Sequence, residues 1–206
     1  MDIHSYKRQV CEYAIKAYRQ GFVAGTSGNI STLSDHNEIV ITPSGVDYAL
    51  ITIDDIMVID FSGNVIAGPN KPSSEWPMHA EIYNQLPGVR SIVHTHSPYA
   101  TSFAVLNETI PVVLIEMVFF LGGDIRVAPL AAQGTSDVGV GAVLALRDRN
   151  ACLLQNHGAV SIGKNLQEAF LRAEYTEDAA KACHLARSIG EPTLVPDEII
   201  LEALGR

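Results

Sequence analysis

Apolar residues recur at helical spacing from Ile3 to about Gln20 (Val10, Ala14, Ala17, Tyr18), with Gly21 as a natural stop. A polar, glycine-rich turn "GTSGNIS" follows, then short strands in "NEIVITPSG", "IMVID" and "NVIAG" separated by turn signals. "SSEWPMHAEIYNQLPG" opens with serines and a glutamate, as a helix start does, and closes at Pro87-Gly88. Beyond it, "VRSIVHTH" reads as a buried strand, "SPYATSFAVL" as a helix and "IRVAP" as a strand. "TSDVGVGAVLALRDR" reads as a helix opened by Thr135 or Ser136. "ACLLQNHGAVSIG" gives two strands meeting at a bend near His157-Gly158, and the longest helical pattern runs from a cap at Asn165 to a stop at Gly190.

Strands come in runs as well as alternating with helices, so the pattern fits a largely antiparallel sheet better than a doubly wound parallel one. No repeat, low-complexity tract or linker interrupts the chain. The expected fold is one α/β domain over residues 1–206, in three layers, with a largely antiparallel central sheet covered by helices on both sides.

Composition narrows the function. The chain has 206 residues, 47% hydrophobic and 18% charged, which is ordinary for a compact protein and too apolar for a disordered one. A net charge of −9 disfavours a nucleic-acid surface but leaves room for a small anionic ligand held by a few local donors. Cys11, Cys152 and Cys183 form neither a disulfide framework nor a CxxC half-site, and the N-terminus has no signal-like apolar core. The most apolar stretch, "IPVVLIEMVFFLGG", is broken by Glu116 and too short to span a bilayer. A cytoplasmic protein that does not engage membranes is expected.

The candidate chemistry centres on "SIVHTHS". Residues i and i+2 of a strand share a face, so His94 and His96 either hold one metal ion together or are two polar residues on a wet face. Catalytic zinc takes three protein ligands and keeps a position open, and His157, at a strand end beside a glycine, is a candidate third. His4, His36, His79 and His184 lie in a terminus, a polar loop or helical patterns and are assigned ordinary structural roles. Separately, "GTSGN", "TPSG" and "SSE" are donor-rich turns able to cradle a phosphate, and none matches a P-loop or dinucleotide fingerprint.

Taken in order, "GTSGNIS", "ITPSGVDY", "SSEWPMHAEIY", "IVHTHS", "IPVVLIEMVFFLGG" and "LLQNHGAV" resemble the class II aldolase/epimerase family, from about residue 7 to residue 190. That family includes fuculose-phosphate aldolases, ribulose-phosphate 4-epimerases, methylthioribulose-phosphate dehydratases and the adducin head domain. The resemblance implies His94, His96 and His157 as ligands of Zn²⁺, with Mn²⁺ or Co²⁺ compatible with the same set. It makes Glu75 a further ligand that swings off to act as a base. It places the substrate phosphate on Thr26, Asn29, Ser44, Gly45, Ser73 and Ser74.

The implied activity is retro-aldol cleavage of a ketose 1-phosphate to dihydroxyacetone phosphate and an aldehyde, in a homotetramer with active sites at subunit interfaces. The alternatives are a dehydratase or 4-epimerase on the same metal site, or a non-catalytic adducin-like module. Two departures from the fuculose-phosphate aldolase pattern stand out. Glu116 lies where a tyrosine from a neighbouring subunit is expected, so it is either an acid/base or a structural break. No tyrosine follows Tyr175.

Overall fold

The computed structural model describes residues 2–205. Helix α1 (Ile3–Arg19) is capped by the Asp2 carboxylate, which accepts from the Ser5 N–H. Strands β1 (Asn29–Leu33), β2 (Ile39–Ile41), β3 (Met57–Ile59) and β4 (Val65–Ala67) follow, then α2 (Trp76–Gln85), β5 (Ser91–Thr95) and α3 (Pro98–Leu106). The second half holds β6 (Arg126–Ala128), α4 (Ser136–Ala145), β7 (Ala151–Leu154), β8 (Gly158–Gly163), α5 (Leu166–Ile189) and α6 (Asp197–Ala203). Thr135 occupies the N-cap position of α4, and the Asn165 side chain caps α5 by accepting from Glu168 N–H.

The eight strands form one sheet in the order β4-β3-β2-β1-β5-β8-β7-β6, antiparallel throughout except for the parallel pair β6–β7. Strand alternation sorts the core into layers. Ile39, Ile41, Met57, Ile59, Ile92, Leu154 and Val160 meet α2 and α4 on one face. Val40, Val58 and Val93 meet α1 and the start of α5 on the other. Further along that second face, Leu153 and Ala159 pack under α3 and the later part of α5. The expected three-layer, largely antiparallel architecture is therefore present.

Three segments differ from expectation. "NIS", read as part of a turn, begins β1, a fully buried central strand. Its polar residues lack apolar alternation because one of its faces carries the site described below. "IPVVLIEMVFFLGG", for which no element was expected, is irregular and ends in a π-helical turn, Met117–Leu121. The tail, for which no element was expected, forms α6, whose Ile200 and Ala203 pack on the α3–α5 cluster. No described helix is long and apolar enough to cross a membrane.

Candidate active site

The three histidines converge at one end of the central strands. Asn29 opens β1 directly opposite His94 on β5, and His94 shares the α2-facing side with Ile92. His96 lies just past the end of β5, its N–H held by the Phe22 carbonyl at 2.9 Å. His157 sits in the tight turn between β7 and β8, after Asn156 in left-handed backbone (φ 56°). The following Gly158 is required by close approach, since a Cβ there would stand 2.2 Å from the Thr95 carbonyl oxygen. Glu75, the N-cap position of α2, completes the group from the helix layer.

Ligand atoms of Glu75, His94, His96 and His157 all lie within 4.8 Å of one another. His94 Nε2 is 3.1 Å from Glu75 Oε2, His157 Nε2 is 3.1 Å from Glu75 Oε1, and the Nε2 atoms of His94 and His96 are 3.1 Å apart. His94 Nδ1 lies 2.9 Å from the Ala159 carbonyl, an acceptor, so Nδ1 carries the proton and a neutral ring turns its Nε2 lone pair inward.

Glu75 Oε1 and His157 Nε2 are both buried without a hydrogen-bond partner, although they face each other. Acceptors aimed at a common point from several elements are mutually repulsive unless a cation sits among them. Four donors about 2.0–2.1 Å from a tetrahedral centre stand roughly 3.3 Å apart, so the observed spacings suit a divalent ion. The donor set therefore fits a metal.

Burial alone would push the Glu75 carboxyl up, but His157 and His94 override it and hold the group well below the usual carboxylate range. Burial, with the neighbouring His94 and His157, lowers His96 to about 4, leaving a neutral ring able to ligate.

Glu75 and His96 also border a cleft of about 360 Å³. Thr26, Asn29, Ser44, Gly45, Ser73 and Ser74 all line it, and none of its lining residues is Lys or Arg. An anion there would be held by neutral N–H and O–H donors beside the start of α2. Gly28 shapes the loop: its φ of 72° and the His94 carbonyl, 2.8 Å from where a Cβ would stand, leave room only for glycine. The buried Tyr48 hydroxyl braces the same loop, 2.9 Å from both the Gly28 carbonyl and the Thr42 hydroxyl.

Glu116 is not brought to this group. It is exposed just before the π-helical turn and belongs neither to the cluster nor to the cleft wall. Sequence reasoning missed three contributors. Tyr48 lay inside the quoted "ITPSGVDY" without a role. Gln133 lines both the cleft and an adjoining pocket of about 140 Å³ beside His157, and its loop carries no motif. His79, assigned an ordinary role, is fully buried against Asn29.

Residues 8–184 match the family described as Class II Aldolase and Adducin N-terminal domain. The chain is 36% identical over 199 residues to the 5-deoxy-D-ribulose 1-phosphate aldolase of Bacillus thuringiensis serovar kurstaki, covering 96% of this chain and 93% of that protein. It is 32% identical over 205 residues to the L-fuculose phosphate aldolase of Escherichia coli K12, covering 99% and 94% respectively. A solved L-fuculose 1-phosphate aldolase superposes with a TM-score of 0.93 at 37% identity, covering 100% of this chain and 97% of that one.

Proposed function

This chain belongs to the class II aldolase and adducin N-terminal domain family, and from that premise we propose that it is a metal-dependent aldolase cleaving a ketose 1-phosphate into dihydroxyacetone phosphate and an aldehyde. The observation that carries the reading is Glu75 clasped between His94 and His157 at the rim of the donor-lined cleft. His94, His96, His157 and Glu75 would hold the ion, with Zn²⁺ favoured by the three imidazoles and Mn²⁺ or Co²⁺ compatible. When bound, a divalent ion supplies Lewis-acid stabilisation of negative charge developing on the substrate's carbonyl oxygen.

The chain's own residues do the rest. Thr26, Asn29, Ser44, Gly45, Ser73 and Ser74 bind the phosphate and so orient the reacting carbons toward the histidines. Cleavage breaks the C3–C4 bond. The C4 hydroxyl loses its proton to become the aldehyde carbonyl, and the bonding pair moves toward C3 and the C2 oxygen. Glu75, buried and ionised in the free site, takes up one proton from solvent as substrate enters and delivers it to C3, which balances the C4 hydroxyl proton released to the base and from there to solvent. Pro129, Leu130 and Leu154 in the adjoining pocket give the aldehyde end an apolar wall, which suits a deoxy sugar tail.

A tetramer with active sites at its subunit interfaces fits the exposed Phe119 on the π-helical turn next to Glu116. There Glu116 would serve the site of a neighbouring copy as the base at the C4 hydroxyl. The three buried free cysteines suit a cytoplasmic location. The test is a coupled assay for dihydroxyacetone phosphate release from a panel of ketose 1-phosphates, with and without chelator. Chelator-sensitive release supports the aldolase. Consumption of substrate without release would overturn it in favour of dehydration or epimerisation.

A further inference from the structure

β1 and α2 carry matching buried polar stripes. Alternate residues of a strand repeat about every 6.6–6.8 Å, and residues four apart on a helix about every 6.0 Å. Asn29 and Ser31 on β1 therefore fall between Glu75, His79 and Tyr83 at the start of and along α2. Asn29 Nδ2 donates to Glu75 Oε2 at 2.6 Å, and Asn29 Oδ1 lies 2.5 Å from His79 Nε2. His79 Nδ1 lies 2.6 Å from Ser31 Oγ, which lies 2.6 Å from the Tyr83 hydroxyl. All five residues are buried, His79 and Ser31 completely.

The direction of every bond follows from the acidic end. Asn29 turns its amide nitrogen to a Glu75 carboxylate oxygen, which accepts, and so its amide oxygen, an acceptor, faces His79. His79 Nε2 must then carry the proton, which leaves Nδ1 to accept from the Ser31 hydroxyl. Ser31 in turn accepts from Tyr83. The four bonds point the same way, toward Glu75, and aligned hydrogen bonds polarise one another.

We propose that His79 is a positioning residue for the active site: as the Nε2–H tautomer it locks the Asn29 amide so that its two N–H donors serve Glu75 and the anion cleft. A flipped amide would set an oxygen against the Glu75 carboxylate and leave His79 facing a donor. Burial, reinforced by the nearby His94 and opposed by Glu75, holds the His79 pKa down at about 3, so the ring is neutral as the chain of bonds requires. The role rests on the proposed metal centre for its functional readout, while the tautomer does not.

The experiment has two arms. In the first, long-range ¹H–¹⁵N correlation on the metal-free, histidine-labelled full chain identifies the His79 tautomer, assigned by the signal lost in His79→Gln. An Nε2–H ring is expected, and an Nδ1–H ring or an imidazolium overturns the proposal. In the second arm, His79→Gln places an amide nitrogen where Nε2 stood, whereas His79→Asn reaches only the Nδ1 position. His79→Asn is expected to lower Zn²⁺ affinity in a chelator competition, and kcat/KM, by about ten- to a hundredfold, as removal of a ligand's outer partner does. His79→Gln should restore most of both. Equal losses in the two variants would mean a merely structural ring and overturn the proposal. If neither variant folds, the tautomer of the wild-type chain decides, with the Tyr83→Phe chain supplying the assignment. Wild-type protein that binds no metal would sink the metal-centre reading and leave the tautomer result standing.

Discussion

Strands β1 and β2 are hydrogen-bonded neighbours beneath the same helical layer, yet β2 presents Ile39 and Ile41 to it while β1 presents Asn29 and Ser31 before Leu33. The β2 side needs only volume and dryness, because dispersion and apolar burial are not directional. The β1 side needs direction, because each buried polar atom must meet a partner of opposite character or cost more than it contributes. One sheet thus holds stability and chemistry side by side, with the boundary running between two adjacent strands.

Breaking the chemical side should have the largest effect. His94→Ala or His157→Ala is expected to abolish metal retention and lower aldol cleavage by about 10³-fold or more. Metal content after gel filtration, read beside the turnover assay, checks this; a variant that turns over fully without metal would refute the ligand assignment. Breaking the apolar side should give the opposite signature. Ile39→Ala, at a fully buried position, should cost about 2–5 kcal/mol in denaturant unfolding while the folded fraction keeps its metal affinity and kcat.

Within the chemical side, the cleft and the metal cluster should separate. Under the proposed phosphate site, Ser44→Ala, in the cleft wall, would remove one donor to the anion, worth about 1.5–3 kcal/mol, and should raise KM tenfold or more with kcat little changed. Steady-state kinetics on the best ketose phosphate measures the split, and a fall in kcat at constant KM would place Ser44 with the reacting carbons instead.

The smallest effect is a pH dependence of folding. The His79 pKa lies at about 3 in the folded chain against the ordinary histidine value of 6.5, so the unfolded state binds the extra proton. The stability this group contributes is complete above pH 6.5 and declines as pH falls from there toward 3. At pH 5.5 the loss is on the order of 1 kcal/mol. Urea unfolding between pH 7 and 5 should therefore show a shallower acid slope for His79→Gln than for wild type, and identical slopes would contradict the buried neutral ring.

Much of this was readable in the chain. His94 and His96 are two apart in an apolar run, and strand geometry alone puts them on one face. The turn at His157-Gly158 was marked by its glycine, and the "GTSGN", "TPSG" and "SSE" segments were marked by their small donors. β1 was obscured because a strand whose inward face is polar breaks the alternation that identifies strands. Glu116 had an address in a motif, but among the described residues it joins neither the Glu75–histidine cluster nor the cleft wall.

His79 shows where reading along the chain stops. A histidine four residues after a glutamate and four before a tyrosine is a stripe on a helix, and such stripes usually face water or core. Local spacing determined the elements, the paired histidines and the donor-rich turns, because each depends on neighbours a few residues away. Only the tertiary structure decided that the stripe of α2 lies against the stripe of β1, that Glu75 reaches histidines from two other elements, and that Glu116 stays outside. Those outcomes depend on which faces meet across the sheet, and that is set by the whole packing of the core.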